Sequence, residues 1–190
     1  MSDYKKYPLM FSPYRLPNGV LLKSRLEATP SGQHFIQGPE PYPTHAAIAD
    51  YASKARAGAA IVVVSYLEKL SRTIDGGHAR TYDITDGRNQ HYLSQLTNAI
   101  QCYNSKALTR FDIDGYMGNE YDVSTGVPTA WVYGDGTYPL YDRIEVPRDV
   151  LLKTLDEYIE GVYSLKQDMG FDGVWLHMSY RHHWLGRFVS

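Results

Sequence analysis

The segment THAAIADYASKARAGAAIVVVS, residues 44–65, decides how this chain is built. Thr44 is a good N-cap, with a hydroxyl able to accept from first-turn amides, and a helix is predicted from His45 to Ala57. Ala47, Ile48, Tyr51, Ala52 and Ala55 fall on one face of it, and Gly58 suits the left-handed stop after its last turn. Ala60 to Val64 follows at once as an unbroken apolar run of strand length. Strands with no polar alternation are buried on both faces, as in parallel sheets. A helix running straight into such a strand is half of a β-α-β crossover.

The same grammar extends in both directions. Residues 15–23 read as a hairpin, with Asn18 and Gly19 offering the two positive-φ positions of a tight turn. Arg25 to Thr29 reads as a strand broken by Pro30, Ser31 and Gly32. A polar loop is expected over Glu68–Gly87, then a helix from Arg88 to Tyr103 with Tyr92, Leu93, Leu96, Ala99 and Ile100 inward. Ala107–Phe111 is a third strand, followed by a long loop from Asp112 to Val146. Loops of this length inside compact domains usually carry function. A third helix begins near Pro147, a favoured first helical residue, and carries the stripe Leu151, Leu155, Tyr158, Val162 and Leu165 until Gly170. Gly173 to His177 is the fourth strand.

The order is hairpin, then β-α-β-α-β-α-β, which predicts an α/β fold with right-handed parallel crossovers. An open doubly wound sheet binding a dinucleotide would carry Gly-x-Gly-x-x-Gly after its first strand. This chain has Pro30-Ser-Gly-Gln-His34 there, which weakens that reading. The opening hairpin suits a plug at the bottom of a closed barrel.

Composition narrows the function classes. The 190 residues fit one domain, with 43% hydrophobic and 21% charged residues and a net charge of −2. No basic face is implied, so nucleic acid is not an expected partner. Cys102 is the only cysteine, and His45, His78 and His91 are scattered without ligand spacing, so no disulfide and no metal site is expected. No apolar run approaches a membrane span, and residues 1–8 lack a signal-peptide core. The expected location is the cytoplasm, with no membrane partner.

Three segments, in order, resemble the Old Yellow Enzyme family of FMN-dependent ene-reductases. The first is LMFSPYRL (9–16) continuing through LKSRL (22–26) to Thr29-Pro30, similar to that family's opening LFSP…LKNR…AP. The second runs from Tyr51 through Ala57-Gly58 into IVVVS (61–65). The third is GFDGVWLH (170–177) ending in GRFVS (186–190), which resembles GFDGVEIH…NQFLS. The resemblance spans essentially the whole chain. It implies the N-terminal half of a TIM-type (β/α)₈ barrel with an N-terminal hairpin plug and four parallel strands, all in one incomplete domain over residues 1–190. It further implies bound FMN, and reduction of an activated C=C bond, as in an enone, with hydride from NAD(P)H.

Barrel enzymes place their chemistry at the carboxyl ends of strands. On the resemblance, Thr29, Pro30 and Ser31 lie along the isoalloxazine ring, Ser65 sits near it at the end of the second strand, and Arg110 stands where the family commonly has a flavin-contacting Gln. Each has a plainer reading: strand-ending turns for the first four, a barrel-end salt bridge to Asp112 or Asp114 for Arg110. His177 is the expected donor to the substrate carbonyl oxygen, or else a packed histidine. The family's usual second donor position holds Tyr180, and the stretch to His183 runs one residue long. Arg181, His182 or His183 then become candidates for the second donor, and Tyr180 for protonating the α-carbon; the plain alternative is a cationic surface loop. Tyr116, Trp131, Tyr133 and Tyr138 in the long loop either stack on a bulky ring-containing enone or pack the loop. A barrel glycoside hydrolase using Asp112 or Asp114 is a rival, although alternating residues on one strand face opposite ways.

Four strands make half a (β/α)₈ barrel, and the family's phosphate grip after strands seven and eight lies beyond them. Open sheet edges and an uncovered apolar face need partners. The expectation is a missing C-terminal half supplied by a longer polypeptide, by another chain, or by self-association into a homo-oligomer. The contrasting function class is a non-catalytic half-barrel that interacts but holds no flavin.

Overall fold

In this computed structural model the described residues are 6–31, 40, 42–69, 82–113, 130–132, 143–145 and 148–176. In chain order the elements are β1 (Tyr14–Arg15), β2 (Leu21–Leu22), β3 (Glu27–Ala28), α1 (His45–Arg56), β4 (Ile61–Lys69), β5 (Tyr82–Asp83), α2 (Gly87–Gln101), β6 (Lys106–Ile113), β7 (Ala130–Val132), β8 (Arg143–Glu145), α3 (Arg148–Gln167) and β9 (Gly173–Val174).

β1 and β2 form the expected hairpin, with Tyr14 opposite Leu22 and Arg15 opposite Leu21. Its turn differs from the expectation of two left-handed residues. Gly19 alone has a positive φ, at 91°. Pro17 presets the second turn position, so the Gly19 amide bonds back to the Leu16 carbonyl at 2.9 Å with one left-handed residue sufficing. Asn18 accepts the Val20 amide on its side-chain oxygen at 3.1 Å.

The helix signals act as read. Thr44 Oγ1 accepts the Ala47 amide at 3.2 Å, and Gly58 turns the chain out of α1 with φ 116°. Asp86 caps α2 by accepting from the Arg88 amide at 2.8 Å, and Gly170, φ 75°, closes the turn after α3. Two expectations for the connections are corrected. β4 continues to Lys69 rather than stopping at Val64, because β5, inside what reads as loop, pairs with it at Leu67 and Glu68. The long segment after β6 holds β7 and β8, which pair parallel. Tyr92 is also corrected: it is half-buried and stacks on Tyr42 at 4.5 Å between ring centroids instead of entering the core.

The main sheet runs β3-β4-β6-β9, all parallel. The faces of this sheet decide between the two architectures. Val62, Val64, Ala107 and Phe111 share one core with Tyr51 and Ala55 of α1, Leu93, Leu96 and Ile100 of α2, and Tyr158 and Leu165 of α3. Ala28 and Val174 pack against the same core. All three crossover helices therefore cover one face. A doubly wound sheet divides its helices between both faces, so this sheet is a stretch of barrel wall. By strand alternation Ile61, Val63, Leu108, Arg110 and Gly173 belong to the other, helix-free side, against which no helix packs among the described residues.

Two contacts lock the wall. At the amino ends of the strands, Asp172 accepts from Lys106 Nζ at 3.0 Å, from the Ala107 amide at 2.9 Å and from Gln101 Nε2 at 3.0 Å, which joins α2, β6 and the start of β9. Midway along α3, Gly161 faces the Phe111 ring, which stacks on Tyr158 at 5.1 Å. A Cβ at 161 would lie 2.7 Å from Phe111 Cε1 and nearer still to Cζ. Gly161→Ala should thus destabilise the chain by about 1–2 kcal/mol, the overlap outweighing a helix-propensity gain of roughly 1 kcal/mol. Urea unfolding checks this, and Phe111→Leu added to the same variant should recover part of the loss.

Candidate functional site

Just beyond the carboxyl end of β3, within the carboxyl-terminal halves of β4 and β6, the ladder carries a bulge. Val64 stands opposite Thr109, but Leu67 stands opposite Phe111, so β4 carries one residue more than β6 over this interval. Ser65 and Tyr66 together oppose Arg110 alone. Bulges of this kind bend a strand and re-aim its side chains, and they gather beside functional sites.

Ser65 is buried and joins the two neighbouring pieces of chain. Its hydroxyl donates to the Ser31 carbonyl at 2.8 Å, tying the turn after β3 to the bulge. Its amide donates to the Tyr51 hydroxyl at 3.3 Å. Ser31 is held a second time, because its own hydroxyl accepts from Lys54 Nζ at 3.0 Å. Lys54 is fixed in turn by Asp50 at 2.8 Å and lies over the Tyr51 ring. Tyr82, on β5, is buried close to Tyr51. Burial first, and the neighbouring Tyr51 second, push the Tyr82 phenol well above its ordinary range, so it stays a neutral phenol.

Arg110 is 9% exposed, an uncommon degree of burial for a guanidinium. It stands between Thr109, whose hydroxyl bonds the Val64 carbonyl at 3.2 Å, and Phe111 in the helix-side core. Its place on the strand is therefore the helix-free side. Just past β9 the Trp175 amide donates to the Thr109 carbonyl at 2.7 Å, so the chain still runs alongside β6 next to Arg110.

The structure thus brings Ser31, Ser65 and Arg110 to one end of one sheet, with Thr29 and Pro30 leading into Ser31 from β3. Ser65 lies inside β4 rather than at its end, because the strand resumes after the bulge. His177, Tyr180 and His182, with Arg181 and His183, lie outside the described residues, as do Asp114, Tyr116, Tyr133 and Tyr138. Trp131 belongs to β7. Among the described residues no group of His, Cys, Asp and Glu is arranged to hold a metal ion, and no helix is long and apolar enough to cross a membrane. Tyr51 and Lys54 do not stand out in the sequence as site residues. The signal for Tyr51 is its hydroxyl on an otherwise apolar stripe, since a buried phenol needs a hydrogen-bond partner.

No protein-family model matches the sequence, and no curated protein is significantly similar to it. Solved structures are similar in fold. The old yellow enzyme from Trypanosoma cruzi aligns with a TM-score of 0.65 and 15% identity over 90% of this chain and 51% of its own. The old yellow enzyme homologue from Zymomonas mobilis aligns at 0.63 and 21% over 90% and 48%. Morphinone reductase in complex with tetrahydroNAD aligns at 0.65 and 18% over 88% and 48%.

This chain has the fold of half an old yellow enzyme barrel. It spans about half the length of the old yellow enzyme structures it matches. The helix-free face of the sheet corresponds to the inside of that barrel, and the bulge, Ser31 and Arg110 stand at its carboxyl-end rim, where barrel enzymes carry their sites. Ser65→Ala removes the tie between the turn after β3 and the bulge. It should cost about 1 kcal/mol of stability and speed amide exchange over residues 29–31, both measurable by urea titration and hydrogen exchange.

Proposed function

We propose that this chain is the flavin-edge half of an FMN-dependent ene-reductase of the Old Yellow Enzyme family. The observation that carries the reading is Arg110: a buried guanidinium on the barrel-interior side, beside a bulge at the carboxyl end of the wall. A fixed cation there suits the electron-rich pyrimidine edge of a flavin. The fold likeness to old yellow enzymes supports the same conclusion.

The donor set fits the cofactor. Thr29, Pro30 and Ser31 would line the ring with backbone groups, Ser65 would hold that turn in place, and Arg110 would face the pyrimidine edge. FMN, when bound, would supply the hydride chemistry, passing hydride from NAD(P)H to the β-carbon of an activated C=C bond. His177, two residues beyond Trp175, would donate a hydrogen bond to the substrate carbonyl oxygen, where enolate charge builds as the β-carbon is reduced. His182 would supply the second donor. Tyr180, as a phenol protonated at neutral pH, would deliver the proton to the α-carbon. The aromatic segment around Trp131 suits a bulky ring-containing enone. The phosphate grip and barrel closure would come from the remaining half, in the same polypeptide, another chain or a second copy.

Titration with FMN, followed by flavin fluorescence and visible absorption, tests the reading. Arg110→Met should weaken binding by roughly ten- to a hundredfold, the worth of a charge-assisted hydrogen bond, whereas Arg110→Gln should retain most of it. Absence of flavin binding, with and without a complementing half-barrel, would leave the non-catalytic interaction module as the better description. In the flavin-loaded protein, His177→Ala should slow enone reduction about 10²–10³-fold and leave FMN affinity unchanged.

A further inference from the structure

We propose that Tyr51 is a positioning residue for the flavin-facing rim, gripping it from the far side of the sheet. This rests on the flavin reading above. Tyr51 is fully buried on α1, where a phenylalanine would fill the same space. What the hydroxyl adds is a hydrogen bond. It accepts the Ser65 amide, in the interval where the β4–β6 pairing breaks register. A bulge leaves a backbone group without a ladder partner, and a buried amide needs an acceptor. Tyr51 provides it from the helix layer, so the bulge is held open rather than sliding back into regular pairing.

The grip extends to the turn that would meet the ring. Ser65, fixed by its amide, donates its hydroxyl to the Ser31 carbonyl at 2.8 Å. Lys54, one helical turn beyond Tyr51, reaches the Ser31 hydroxyl at 3.0 Å and lies 4.7 Å from the Tyr51 ring centroid. One face of α1 therefore sets both Ser65 and Ser31. Neither α1 residue stands on the strand-end turns; each acts through the serines.

The test compares Tyr51→Phe with the wild-type polypeptide by residue-resolved amide exchange without flavin, and by FMN affinity and the visible spectrum of bound flavin. Expected are at least tenfold faster exchange at Ser65, FMN binding weakened several-fold and a shifted flavin band, with little change in the urea midpoint. Ile100→Val serves as the control. It trims the same core near the amino ends of the strands, and should lower the midpoint while leaving Ser65 exchange and the flavin band alone. Lys54→Met, at a half-buried position, should loosen residues 29–31 without accelerating Ser65, and keeps the test open if Tyr51→Phe folds poorly. Unchanged Ser65 exchange in Tyr51→Phe overturns the grip. Faster exchange with unaltered flavin affinity and spectrum overturns the positioning role. If the wild type takes up no FMN, the flavin reading fails and the positioning role with it, while the exchange data report separately whether the Tyr51–Ser65 bond exists.

Discussion

Everything in this molecule hangs from the parallel ladder between β4 and β6. Its register pairs Ile61 with Lys106, Val63 with Leu108 and, past the bulge, Leu67 with Phe111. Parallel strands of this kind need cover on both faces. Here α1, α2 and α3 all press on the face carrying Val62, Val64, Ala107 and Phe111. Among the described residues the opposite face, with Val63 and Arg110, has no helix layer, and closure into a barrel is what gives it an interior. The chain's half-length match to barrel enzymes and the one-sided helix layer express the same constraint.

The fold was legible wherever local chemistry and periodicity agree. Thr44 caps α1 as its side chain dictates, and Gly58 and Gly170 end their helices with the positive φ that only glycine adopts easily. The apolar run after Gly58 announced a strand buried on both faces. What escaped was set by distant partners. β5 is two residues long and exists because β4 offers Leu67 and Glu68 as an edge. β7 and β8 are strands only because each pairs with the other. Tyr92 was misassigned because the helical stripe does not say that Tyr42 will stack on it.

For the candidate site, sequence position suggested which residues gather at one end of the wall, and not how they are held. Ser31, Ser65 and Arg110 stood out by position at strand ends, and they do gather at one end of the wall. The bulge between Val64 and Leu67 left no mark in the sequence, since no glycine or proline stands there, and it is what brings Ser65 and Tyr66 together against Arg110. Tyr51 belongs to this arrangement through its hydroxyl as well as its ring, and a hydrophobic stripe counts the ring without weighing the oxygen. Asp172 shows the same limit at the other end of the strands, where one carboxylate joins α2, β6 and β9 by contacts 65 or more residues apart in sequence.

The order β3-β4-β6-β9 is also the order of synthesis. After β3, each main strand leaves the ribosome with a pairing partner already made, and each crossover helix emerges between the two strands it will cover. Assembly can therefore proceed by accretion at one growing edge, with each loop closure kept to the length of a single crossover. An edge that grows this way is a template at every stage, able to accept the next strand from its own chain or from a neighbour's.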